Sequence, residues 1–312
     1  MQSGSIKKPD IEFLLALQWY YSVELAPGVT TRGQDHPGAG LTREAVRRTG
    51  FAGRTCVDLG TQEGLFSVLL QRGGAATVEG QDRHPRKDQV AAIQRIYDAP
   101  FKFIAGGSIE EYGQSRIRRK CPPADLLLFS GILYHMFDPL VGLCRVRALA
   151  AHGGVVIVET AAVTRPDTQR PALYFNADNS LYPSSTYFLP TPAWLDAALR
   201  FAGLIPIDCL YFHHGGGARV GRICVPCRAG TPKELANPER RGWEREYIAR
   251  DFSEFVDLTR LETKTEPVTY KDAAVTAARL SDGTVDVAKT VAEGEPRTVV
   301  ARDVTLMLAD RD

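Results

Sequence analysis

From Arg54 to about Gly203, short apolar runs rich in leucine and β-branched residues alternate with segments in which apolar positions recur every three or four residues. The first pattern suits buried strands and the second suits helices packed on them. Strands are predicted over 54–59, 76–81, 101–105, 124–129 and 153–159, with helices over 63–72, 86–97, 138–150 and 192–202. Such alternation implies parallel strands joined by crossover helices. Two further runs, 205–213 and 218–227, flank Gly215, Gly216 and Gly217, a turn that glycines adopt without steric cost. They complete a Rossmann-like, doubly wound α/β sheet of seven strands whose last strand is antiparallel.

Before this core, Ile11 to Glu24 reads as a helix rich in leucine and aromatics, followed by Pro27 and Gly28, and is expected to fold over the site as a lid. Beyond it lie a helical pattern at about 241–262 and weak strand character over 297–308. Three parts are therefore expected: a helical lid over 1–49, a ligand-binding core over 50–228 and an extension over 229–312 that completes the pocket or a dimer contact. Among its 312 residues, 44% are hydrophobic and 24% charged, as in a folded domain. The net charge of +1 gives no bulk field for nucleic acid or an anionic membrane. Six cysteines are too sparse for a disulfide framework, Asp10 and Glu12 interrupt any apolar leader after Lys7 and Lys8, and no run approaches membrane-spanning length. A cytoplasmic protein is expected. Arg116, Arg118, Arg119 and Lys120 read as a solvated basic connection, and Cys224-Val-Pro-Cys227 lacks a second ligand pair, so no metal is expected.

The segment Thr55 to Gly64 runs from a buried strand into a helix opening at Leu65, at the carboxyl edge where open sheets bind ligands. Gly60 and Gly64 allow a sharp turn and close approach, and Asp58 at the strand tip can accept from an ammonium or a water. A dinucleotide would require G-x-G-x-x-G; here the pattern is G-x-x-x-G, and Glu63 at the helix start repels a phosphate. An amino-acid-bearing nucleoside fits better. The second strand ends at Asp82, which can take two hydrogen bonds from ribose hydroxyls or cap the helix near Pro85. Ser108 and Ile109 follow the third strand, where they would flank an adenine, and Ser130 follows the fourth, beside the ligand. Tyr134 and His135 come next. Methyl transfer from a sulfonium needs an aligned nucleophile and, for a hydroxyl, a base. His135 is the candidate base, or else it and Tyr134 shape the pocket floor. Glu159, ending the fifth strand, either orients a substrate or is a satisfied strand-end residue, and the aromatics Phe13, Trp19, Tyr20 and Tyr21 form either a substrate lid or ordinary packing.

At these residues the chain resembles class I S-adenosylmethionine methyltransferases, and more narrowly the group related to tRNA uridine carboxymethyltransferase. The resemblance rests on Asp58-Leu-Gly-Thr-Gln-Glu-Gly64, on Glu79-Gly-Gln-Asp82, on Ser130-Gly-Ile-Leu-Tyr-His135 against a G-[VI]-L-Y-H segment, and on Glu159-Thr160. Tyr187-Phe-Leu-Pro190, followed by Trp194-Leu195, resembles the group's Y-F-I-P segment. It implies S-adenosyl-L-methionine as cofactor, with Asp58, Gly60, Thr61 and Gly64 on the methionine and sulfonium side, Asp82 on the ribose, Ser108 and Ile109 at the adenine and Ser130 on the flank. Tyr134 and His135 would face the acceptor, with Trp19, Tyr20, Glu159 and Tyr187 around it. The tRNA enzymes carry an R-K-G-P-F segment whose lysine helps bind a carboxylated cofactor; here the region reads Leu25-Ala-Pro-Gly-Val-Thr-Thr-Arg-Gly33, without lysine. Ordinary methyl transfer to a small molecule, such as a secondary metabolite, is therefore expected. The alternatives are a tRNA-modifying enzyme and a catalytically silent binding protein.

Overall fold

The computed structural model describes residues 8–34, 36–165, 168–183, 185–230, 268–271, 278–280 and 283–311. The helix expected near 241–262 lies outside the described residues. The chain opens with α1 (Lys8–Ala16), β1 (Ser22–Ala26), β2 (Val29–Thr30), α2 (Pro37–Arg48) and β3 (Thr49–Gly50). Next come β4 (Thr55–Leu59), α3 (Leu65–Arg72), β5 (Thr77–Asp82), α4 (Lys87–Ile96), β6 (Lys102–Ala105), α5 (Ile109–Arg118) and β7 (Ala124–Ser130). A 3-10 turn (Leu133–His135) leads to α6 (Pro139–Leu149), β8 (Ala150–Val163), β9 (Leu173–Phe175), β10 (Phe188–Pro190) and α7 (Pro192–Phe201). The sheet closes with β11 (Leu204–Pro206), β12 (Leu210–His213) and β13 (Val220–Ala229), and β14 (Thr269–Tyr270), α8 (Val287–Glu293), α9 (Ala301–Val304) and β15 (Thr305–Leu306) follow.

The main sheet has the order β6-β5-β4-β7-β8-β13, with β11 and β12 both on the far side of β13. Pairings among β4 to β8 are parallel, whereas β13 is antiparallel to β8, β11 and β12. Since β11 and β12 meet successive stretches of one edge, they fill a single strand position broken at 207–209, so the sheet has the expected seven positions. This is the Rossmann-like, doubly wound sheet with an antiparallel last strand that the sequence predicts. Side-chain alternation divides the interior into two layers. Cys56, Leu126, Leu128, Ile157 and Cys224 meet α2, α3 and α4 on one face, while Val57, Leu127, Phe129, Val158 and Cys227 meet α6, α7 and α8 on the other. Cys224 and Cys227 therefore point into opposite layers.

The N-terminal expectation needs correction. The first helix stops at Ala16, and Ser22-Val23-Glu24-Leu25-Ala26 alternates with period two, so it forms a strand paired to β2 and, in parallel, to β15. Val23 and Leu25 share the core cluster with Leu126, Val304 and Leu306. Trp19 is buried there too, its indole N–H donating to the Leu14 carbonyl at 2.7 Å, so it packs rather than lines a site. The basic connection is likewise corrected: Arg116 and Arg118 end α5, which opens on a Ser108–Glu111 capping box. Arg116 is buried and pairs with Glu79, which also meets Arg119 and Lys102, each at 2.8 Å, and the Tyr112 hydroxyl at 2.9 Å. Among the described residues, no helix is long and apolar enough to cross a membrane.

Burial alone raises the Glu79 carboxyl, but Arg119, Lys102 and Arg116 together hold it at about 2. A carboxyl held below its unfolded value adds stability above about pH 4.5, lost as pH falls toward 2. Glu79→Gln leaves Arg116 buried without its counter-charge and should cost about 3 kcal/mol at pH 7, with a smaller loss at pH 3, measured by urea unfolding.

Candidate active site

The carboxyl ends of β4, β5 and β7 meet at one edge of the sheet. The turn after β4 needs positive φ at Gly60 (66°) and Gly64 (100°), and added Cβ atoms would strike the Ile132 side chain at 2.8 Å and the Phe101 ring at 2.5 Å. Glycine is required there on both counts. Asp58, 2% exposed, accepts from the Thr61 hydroxyl at 2.6 Å and the Ser67 hydroxyl at 2.8 Å, tying the turn to the first turn of α3. Burial pushes its carboxyl up to about 6, against the pull of those two hydrogen bonds. Asp82, equally buried, accepts from the Gln62 and His84 amides, both at 2.8 Å. The two acids thus stand on the same side of the same edge.

Three features suit this edge to an adenosyl ligand. The Gln62 side-chain oxygen is buried without a hydrogen-bond partner among the described residues, and a polar atom so placed calls for a ligand donor. Space beside Gly106 is open, with nothing within 4 Å of an added Cβ. Each Asp82 oxygen keeps a lone pair beyond its amide bond. Ser108, by contrast, is exposed and its hydroxyl accepts from the Glu111 amide at 3.2 Å, so its side chain caps α5; the backbone of the 106–107 turn is held to β5 by the Gln81 amide. Ile109 is half-buried next to it.

Beside this cradle lies a second cluster. Glu159, 1% exposed, takes a bidentate pair from Arg222, at 2.7 Å from Nε and 2.8 Å from Nη2. Arg222 Nη1 donates to the Tyr182 hydroxyl at 2.8 Å, and its Cζ lies 4.9 Å from the Tyr134 ring centroid. Ser130 donates to Glu159 at 3.3 Å and shares a hydrogen bond of 2.7 Å with Thr42. Helix α2 abuts the carboxylate so closely that a Cβ at Gly38 would lie 2.3 Å from Oε1, which places the helix N-terminus beside a negative charge. Tyr20 stacks on His36 with centroids 4.0 Å apart. Burial raises its hydroxyl well above the usual value, Tyr134 and Glu159 adding to the shift and Arg222 opposing it.

His135 is exposed and its Nδ1 lies 2.7 Å from the Ser185 carbonyl. A carbonyl only accepts, so Nδ1 carries the hydrogen and the neutral ring keeps its lone pair on Nε2. Packing around the ring, with the charges of Arg222 and Arg83, lowers its pKa below the ordinary 6.5. Tyr134 is buried, and its hydroxyl is likewise raised by burial. The Tyr187 amide donates to the Tyr134 carbonyl at 2.9 Å, while its ring is 45% exposed at the rim, edge-on to Phe137.

Of the residues singled out in the sequence, Asp58, Gly60, Thr61, Gly64 and Asp82 form the cradle, and Tyr20, Ser130, Tyr134 and Glu159 form the adjoining cluster. Two contributors, Arg222 and Tyr182, lay outside that reading, and a third, Glu63, has a role other than the one expected. Arg222 had a signal, an arginine between Gly221 and Ile223 inside a buried strand. Tyr182 had none. Glu63, fully buried, accepts from the Tyr20 amide and from Arg86, both at 2.6 Å, and so fastens the N-terminal segment to the turn.

No protein-family model matches the chain. A tRNA U34 carboxymethyltransferase from Shewanella piezotolerans is 29% identical over 166 residues, which are 51% of this chain and 46% of that protein; the chain thus spans about half the length of the curated relative it matches. The N-terminal domain of EvdMO1, solved with SAH and D-fucose, matches with a TM-score of 0.53 at 19% identity, over 73% of this chain and 100% of that one. The same domain with SAH bound gives 0.51 at 18% identity, with the same coverage. The resemblance carried by the motifs therefore holds in sequence and in fold.

Glu159→Gln strips Arg222 of its counter-charge and should lower stability by about 3 kcal/mol, whereas adding Arg222→Met to it recovers much of the loss. Chemical denaturation of the unaltered protein, Glu159→Gln, Arg222→Met and the double variant measures the coupling.

Proposed function

We propose that this chain is an S-adenosylmethionine-dependent methyltransferase whose acceptor is a small molecule. One observation carries the reading: a glycine turn closed by two buried carboxylates, with the Gln62 oxygen unpartnered, packs through Gly60 against Ile132 of the Tyr134-His135 turn. Methyl donor and acceptor groups would then share one edge. The EvdMO1 domain with this fold holds SAH, the demethylated cofactor, which supports the assignment. We place the protein in the cytoplasm, where its six free thiols stay reduced.

When bound, S-adenosylmethionine supplies a methyl group on a sulfonium sulfur already activated for in-line displacement. Asp82 would accept from the ribose hydroxyls with its spare lone pairs, Gln62 would take a donor of the methionine part, and Ile109 would offer an apolar edge to the base. Asp58 acts through the turn that it braces with Thr61 and Ser67. Glu159 and Arg222 cancel each other's charge, so the cluster they form with Tyr20, Tyr134 and Tyr182 suits an uncharged acceptor. His135 Nε2 would take the acceptor proton as the acceptor–methyl bond forms and the methyl–sulfur bond breaks, its electron pair staying on sulfur in the neutral thioether that leaves. The imidazolium would keep its Nδ1–H on the Ser185 carbonyl before releasing the proton to water.

The likeness to the tRNA enzyme favours a second reading, with tRNA as acceptor. Against it, Arg116 and Arg119 of the basic run are spent on Glu79. Strongly salt-dependent tRNA binding at physiological salt would select that reading.

The test is transfer of labelled methyl from S-adenosylmethionine to a panel of hydroxylated small molecules. Label should appear in one of them, and no transfer together with no cofactor binding would mean a silent module. His135→Ala should cut turnover about 100-fold while SAH affinity stays within about twofold. The kcat/KM of the unaltered enzyme should rise with pH through a value below 6.5 and level off by neutrality, a limb that His135→Gln removes. Asp82→Ala should weaken SAH binding by at least about tenfold, read by calorimetry.

A further inference from the structure

We propose that a cavity of about 340 Å³ between the end of β8, strand β12 and helix α8 is a binding site for a small monocarboxylate, distinct from the edge that holds the cofactor candidates. Its volume falls at the lower end of the range for small-molecule pockets. None of its lining residues belongs to either cluster described above.

The polar wall is formed by Thr164, Arg165, Thr168, Tyr211 and His213, and Val291 contributes to the floor. Tyr211 is 2% exposed and its hydroxyl is buried with no hydrogen-bond partner among the described residues. Such a group costs free energy until something accepts from it. Burial also raises its pKa to about 12, so it stays a neutral donor. Tyr211 and His213, two apart on β12, share one face of that strand, with ring centroids 5.2 Å apart. Burial and the nearby Arg165 lower the His213 pKa, which keeps its ring neutral, and its Nδ1 lies 3.0 Å from the Thr164 hydroxyl.

The fixed positive charge of the wall is therefore Arg165. Its backbone is anchored, since the Thr164 and Arg165 amides both donate to the Arg219 carbonyl, at 2.9 and 3.2 Å. No ion pair engages its guanidinium among the described residues. A guanidinium fork with two or three hydroxyl donors matches a carboxylate. Glu295, between the lining residues Gly294 and Pro296, acts on Tyr211 and repels a second negative charge, which favours a monoanion over a phosphate dianion.

Calorimetric titration of the full chain with sodium benzoate tests this, with benzyl alcohol and inorganic phosphate as comparison probes. Benzoate should bind in the millimolar range or tighter, and both comparison probes should bind at least about tenfold more weakly. Arg165→Gln should weaken benzoate about tenfold or more, and Tyr211→Phe about threefold to tenfold. Tyr211→Phe should leave the ligand-free melting temperature unchanged or higher, because it removes a buried hydroxyl that has no partner. Tyr134→Phe should leave benzoate affinity unchanged. Absence of benzoate binding, equal binding of benzyl alcohol or phosphate, insensitivity to Arg165→Gln, or a lower melting temperature for ligand-free Tyr211→Phe would each overturn the proposal.

Discussion

Two buried carboxylates at the tips of adjacent parallel strands constrain everything built around them. Asp58 and Asp82 cannot lie in the interior without donors, and the turn between β4 and α3 supplies the Thr61 hydroxyl to the first and the Gln62 amide to the second, with Ser67 of α3 and the His84 amide completing them. Satisfying the acids thus fixes the turn. The turn in turn presents Gly60 to Ile132, and that contact sets the proposed cofactor site against the Tyr134-His135 segment. A change that relieved either acid of its partners would loosen the cradle and displace its neighbour together.

The same logic governs the adjoining cluster. Arg222 on β13 stands opposite Ala161 on β8, two residues from Glu159 on the same face, so the two are diagonal cross-strand neighbours close enough for a bidentate pair. The antiparallel insertion of β13 is what brings the arginine there. A seventh strand running parallel would have required a long crossover and put different residues at this edge. Topology, more than local sequence, assembles the charge-neutral aromatic cluster beside which the proposed acceptor would bind.

Much of the sheet was legible because buried parallel strands announce themselves as continuous apolar runs, as in Leu126-Leu127-Leu128-Phe129 and Val155-Val156-Ile157-Val158. The glycine turn and its flanking acids were legible for a local reason, all of them lying within 25 residues of one another. Elements that depend on distant partners were not. Glu63 read as a helix-start acid, yet its role is to accept from an amide 43 residues earlier. Ser108 read as an adenine contact although Ser-Ile-Glu-Glu111 is a capping box, a signal that local chemistry could have supplied. The N-terminal stretch reads as a helix from its leucines and aromatics, whereas Ser22–Ala26 alternates with period two and forms a strand whose parallel partner, β15, lies more than 280 residues away in sequence.

The central claim is that the cleft between the Asp58 turn and Asp82 admits an adenosyl sulfonium compound. A crystal structure of the chain grown with S-adenosylhomocysteine addresses it directly. The account predicts ligand density over the Gly60–Gly64 turn, ribose hydroxyls against Asp82 and the sulfur directed toward Tyr134 and His135. Density at another location, or a nicotinamide nucleotide held in that cleft where the homocysteine compound fails to bind, would contradict it.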